Sequence, residues 1–110
     1  MTLTEKRLAQ SYPNATTNTT VYTVPASTKA IVRNIAMCNV TAAPITVRVF
    51  AVPNGVGAAV TNAIFYDYEV PENFTFTKDL HLVLDTVGDF IVVWVSAQGV
   101  TFTISGVQVT

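Results

Sequence analysis

Charge is what this 110-residue sequence lacks most. Only 12% of its residues are charged, six Lys or Arg against seven Asp or Glu, for a formal net charge of −1. So small and faintly acidic a balance leaves no basic footprint for a nucleic-acid backbone. Half of the residues are hydrophobic, which separates the chain from disordered segments, whose composition is polar and charged. Cysteine is nearly absent too: Cys38 is the single one, which excludes an intrachain disulfide. The apolar residues are dispersed, and no run approaches the roughly 18 that span a bilayer. Met1-Thr2-Leu3-Thr4-Glu5-Lys6-Arg7 carries two bases. No apolar stretch of about 7–15 residues follows it, so no signal peptide is read and synthesis in a cytoplasm is expected. A Gly-rich phosphate loop, zinc-type Cys/His spacing and a serine elbow are missing as well.

What is present is β-branched: 18 Val, 17 Thr and 6 Ile, more than a third of the chain. Such side chains lose rotamer freedom in a helix and pack well on a pleated surface. Strand candidates run over 21–24, 30–40, 45–52, 63–70, 74–77, 80–84, 90–97 and onward from Val100. Turn residues separate them at intervals of about 8–12 positions, the rhythm of a sandwich or barrel. Pro53-Asn54-Gly55 fits a tight turn, Gln98-Gly99 a two-residue hairpin, and the change of apolar parity at Ser105-Gly106 a β-bulge. Alternation within 63–70 places Ile64, Tyr66, Tyr68 and Val70 on one face and Phe65, Asp67 and Glu69 on the other. The candidates at 30–40 and 90–97 are apolar on both faces. The expected fold class is all-β, about eight antiparallel strands in a jelly-roll-like β-sandwich. Residues 1–18 read as an N-terminal arm and linker, and 19–110 as a single sandwich domain. Thr2 and Glu5 have capping-box spacing ahead of good helix formers, so residues 2–10 form either a short helix of about two turns or an extended arm.

Groups able to do chemistry are few. His81 is the one histidine, and its alternation with Leu80 and Leu82 turns it outward, to a surface role. Cys38 lies mid-strand between Met37 and Asn39 and reads as a packing residue. Asp67, Glu69, Glu72, Asp85 and Asp89 lack the ligand spacing of a calcium loop, so neither metal nor other cofactor is expected, and no catalytic residue is assigned. Asn14, Asn18, Asn39 and Asn73 stand in Asn-x-Thr sequons. Threonine is common enough to produce these, and without a secretion signal they are not read as glycosylated. Tyr66, Tyr68 and Trp94 are candidate contact residues, at an interface or on a glycan. The two-faced strands hold more apolar side chains than one small core needs, and a surplus of that kind marks an interface. A homo-oligomer, for which a trimer is suitable, or docking to a larger assembly follows. Neither nucleic acid nor membrane is an expected partner.

The run Asn18-Thr19-Thr20-Val21-Tyr22-Thr23-Val24-Pro25-Ala26 and the strand after it, ending at Cys38-Asn39, resemble a pattern in small virion proteins of tailed bacteriophages. The closing Ile104-Ser105-Gly106-Val107 is similar to the last strand of that pattern. Ser27 departs from it, standing where glycine is usual. The resemblance covers roughly residues 10–110. It implies a non-enzymatic β-sandwich of the virion, most specifically a head decoration (cement) protein whose partners are the major capsid protein or other virion proteins. The alternative it leaves is a neck, tail or fibre component, with a glycan-binding module as one form. By the same resemblance, Leu3, Lys6, Arg7, Leu8 and Tyr12 are the arm residues expected at a capsid or subunit interface.

Overall fold

The computed structural model describes residues 1–110 as eight strands and one short 3₁₀ turn. The strands are β1 (Leu3–Ser11), β2 (Thr19–Thr23), β3 (Lys29–Asn39), β4 (Ile45–Val52), β5 (Ala63–Val70), β6 (Thr75–Leu84), β7 (Phe90–Val95) and β8 (Val100–Val109). They form two four-stranded antiparallel sheets. Sheet A has the order β1-β8-β3-β6 and sheet B the order β2-β7-β4-β5. Nearly every connection crosses from one sheet to the other. Only β4 and β5 follow each other within a sheet, and this interleaving is the eight-stranded jelly roll that the composition anticipates.

The core lies between the sheets. Val32, Ile35, Met37, Val47, Val93, Val95, Phe102 and Ile104 are fully buried within it. Burial of each such side chain contributes roughly 1.5–3 kcal/mol, the dominant favourable term for a chain with so few charges. At one open side Phe65 and Tyr68 of β5 meet Phe76 of β6, with Tyr68 and Phe76 centroids 4.7 Å apart. At the other, the Gln108 side-chain amide of β8 donates to the Tyr22 hydroxyl of β2 at 2.7 Å.

Several local expectations are corrected. Residues 3–11 form no helix. They take the extended alternative and pair with β8 from Leu3↔Val109 to Ser11↔Phe102, because the edge of β8 supplies backbone partners that an isolated two-turn helix cannot match. The former arm is thus an edge strand of sheet A. The polar stretch behind it is tied down as well, since the Thr16 N–H donates to the Val95 carbonyl. The candidates at 74–77 and 80–84 are one continuous strand, β6. Gln98-Gly99 makes no hairpin: β7 and β8 belong to different sheets, because β7 is covered on both flanks by β2 and β4. The Pro53-Asn54-Gly55 turn forms as read, closed by the Val56 N–H on the Pro53 carbonyl, with Gly55 at φ +89°.

Bulges account for the faces that alternation misassigns. In sheet A, β1 and β3 each carry one extra residue, Leu8 and Arg33, opposite Ser105 and Gly106 of β8. The inward residues of β3 therefore switch from Ala30 and Val32 to Ile35, Met37 and Asn39. The break anticipated at Ser105-Gly106 sits at that level, with the extra residues on the neighbouring strands. A Cβ on Gly106 would run into the Ile31 carbonyl oxygen, so the close approach of β3 requires glycine there. In sheet B, β5 carries an extra residue between Phe65 and Tyr68, with Asp67 at φ +54°. Tyr68 consequently shares the inner face with Phe65, whereas Tyr66 points outward.

Candidate interaction surface

The two outer faces of the sandwich are finished differently. On sheet B, Phe50, Val52 and Val92 form a second apolar cluster. Ala58 of the loop from β4 to β5, Ala63 at the start of β5 and Phe90 of β7 pack on it. Beside the cluster, the paired residues Arg48 and Trp94 stand opposite each other on β4 and β7. The Arg48 guanidinium lies 4.2 Å from the Trp94 ring centroid and 4.4 Å from that of Tyr66. Arg48 Nε also donates to Asp67 Oδ1 at 2.6 Å, the one ion pair of the molecule. That hydrogen bond from the Arg48 side chain holds its pKa above the ordinary arginine value, with the negative charge of Asp67 adding to it. The left-handed bulge at Asp67 places its carboxylate against Arg48, and the chain's own residues cover the Phe50 end of this face, while Tyr66 and Ile64 stay 47% and 36% exposed.

Nothing of this chain covers the outer face of sheet A. Strand register divides that face into two halves. Toward the far end, Gln10, Thr103, Ala36 and Thr77 form one row, and Thr101, Cys38 and Thr75 the next. This half carries no charge. Across the line of bulges, Glu5, Val107, Ile31 and Val83 stand side by side, with Leu3, Val109 and Lys29 in the row beyond. Leu3 and Val83 are 63% and 49% exposed, so this second half is an open apolar patch. Five of the six basic residues belong to sheet A, namely Lys6, Arg7, Lys29, Arg33 and Lys78, against two of the seven acids, Glu5 and Asp79. None of these five cations has a carboxylate partner within ion-pair distance. An open groove of about 470 Å³ runs along the bulges, lined by Glu5, Lys6, Arg33, Ser105, Gly106 and Val107.

The residues singled out from the sequence fall into three places. Leu3, Lys6 and Arg7 lie exposed on the edge strand, and Tyr12 is exposed just past its end. Leu8, the bulged residue, packs against the core. Tyr66 and Trp94 meet through Arg48, while Tyr68 belongs to the Phe65 and Phe76 cluster. His81 is exposed on β6, well separated along that strand from Thr75, the residue paired with Cys38. Asp89 is committed to structure, accepting from the Asn54 and Thr86 N–H groups. Asn39 is buried, with its amide fully engaged, so its sequon is closed to modification in the folded chain. Reading single strands missed Ile31, Arg33, Val83, Val107 and Val109 as one surface. The signal available was the two-faced pattern at 30–40.

Eight strands in this order define the class: a double-sheet jelly roll, a fold used by virus shells, lectins and other binding domains. The chain is similar to a chain in the structure of infectious bursal disease virus Gx strain, with a TM-score of 0.53 and 10% identity over 97% of the present chain. It is similar also to a chain in the structure of the Gt strain of that virus, with a TM-score of 0.51 and 9% identity over 97%. The present chain spans 31% and 30% of the length of those two chains. At this level of identity the likeness defines the fold. No family model and no curated protein matches the sequence.

Proposed function

We propose that this chain is a non-enzymatic structural protein of a virion. Within that class, the reading we favour is a decoration (cement) protein that bridges neighbouring capsid subunits of a tailed-bacteriophage head. The observation that carries it is the contrast between the outer faces, one with Phe50, Val52 and Val92 buried beneath the chain's own residues, the other with no such cover. The uncharged threonine half of sheet A offers hydroxyls and small apolar groups on a flat surface. The open edge of β1, with Tyr12 past its end, offers unpaired backbone groups to an added strand. A shell surface that exists only after assembly would bind there. Binding the assembled state and not the loose subunits stabilises the shell by mass action. The jelly-roll fold and its likeness to chains in virus structures support the class.

Heating purified particles with and without the protein tests this. Particles lacking it are expected to disrupt at lower temperature and to recover when it is added back; equal disruption temperatures would overturn the proposal. A neck, tail or fibre module that binds glycan through Tyr66, Tyr68 and Trp94 is less well supported. Arg48 occupies one face of Tyr66 and of Trp94, and Tyr68 is spent on Phe65 and Phe76.

A further inference from the structure

We infer that the apolar, basic half of sheet A binds the acidic β5–β6 turn of a second copy of this chain, head to tail. The argument rests on charge. With five unpaired cations on sheet A, most carboxylates lie elsewhere. Asp67 is taken by Arg48, and Asp89 by backbone N–H groups. The carboxylates left exposed and close together are Glu69 on β5 and Glu72 in the turn that follows. The same turn presents Phe74, 47% exposed although it is a large aromatic. One copy therefore shows an apolar patch with Glu5 in its row and Lys6, Lys29 and Arg33 around it, and the other an apolar ring near two carboxylates.

The geometry of each side fits the other. The groove along the bulges, bare at Gly106, is lined by Lys6 and Arg33 against the single carboxylate Glu5, so its charge balance favours an incoming carboxylate. The neighbouring Ile31, Val83 and Val107 suit the Phe74 ring. Two copies stacked face to face through sheet A would instead bring Arg33 and Lys29 of one toward those of the other, and like charges brought together are costly. The contact is therefore heterologous, and copies joined in this way close into a ring if the rotation permits. This inference uses the half of the face not assigned to the shell. It is tested on the isolated protein, so it stands or falls apart from the virion reading.

The test is sedimentation of the purified chain and of two surface variants, Arg33→Glu and Glu72→Lys, at low and high salt. Circular dichroism confirms that both variants fold. The wild-type chain is expected to self-associate at low salt and dissociate as salt is raised, because exposed charges are screened. Each variant is expected to associate at least about tenfold more weakly. An equimolar mixture of the two should regain association, since the first keeps its acidic turn and the second its basic face. A wild-type chain that stays monomeric at low salt would overturn the inference. Association that survives either substitution, or a mixture that remains monomeric, would overturn it equally.

Discussion

Asn39 shows at the scale of one residue how a polar group is held in so apolar a chain. It is 1% exposed. Its side-chain amide donates to the Ala43 carbonyl at 2.8 Å and the Val70 carbonyl at 3.1 Å, and its oxygen accepts from the N–H and the hydroxyl of Thr41. One side chain thus ties the end of β3 to the 40–44 turn and to the end of β5. Replacement by Ala takes the amide donor from the buried Val70 carbonyl and cuts the tie to the turn, and we expect Asn39→Ala to lower stability by about 1–3 kcal/mol in a denaturant titration. Gly106 makes a second test. Gly106→Ala sets a methyl against the Ile31 carbonyl and should cost about 3 kcal/mol or more. Gly57→Ala, where an added Cβ meets only open space, should stay within about 0.5 kcal/mol. Ser27, the departure from glycine noted in the sequence, has φ +56°, a backbone conformation that accounts for glycine being usual there.

Among the elements, β1 changes most between sequence and structure. Glu5 to Gln10 favour helix locally, yet the segment becomes a nine-residue strand because β8 offers a ladder of backbone partners. No reading of residues 2–10 alone contains that information. The same limit explains the bulges. Alternation places Tyr66 and Tyr68 on one face, and the left-handed Asp67 between them puts them on opposite faces. By contrast β7 is legible, since its apolar run calls for a strand buried on both sides, and the structure supplies the core on one side and the Phe50 cluster on the other. Amide hydrogen exchange measures the β1 assignment. The N–H groups of residues 3–11 that face β8 should be protected well above free-chain rates; uniform fast exchange would return the segment to a detached arm.

The whole molecule is a jelly roll with one outer face partly covered by its own residues and one uncovered, and with five of its six cations on the uncovered sheet. Its class was visible in the abundance of Val and Thr and the spacing of turns, because both record burial in sheets. Its surface was only half visible. The excess of apolar residues at 30–40 was legible as surplus apolar surface, but Ile31, Val83, Val107 and Val109 come together only through the register of β6, β3 and β8. The proposed cement role makes that surface the reason for the protein's composition: a chain that spends its life bound needs little charge to stay apart from its neighbours. The most direct test is the number of copies per purified particle, by quantitative mass spectrometry against the major shell protein. The account predicts a copy number equal to that of the shell protein or a simple fraction of it. Absence from the particle would contradict the virion role outright, and a handful of copies would contradict the cement role and place the chain at a neck, tail or fibre.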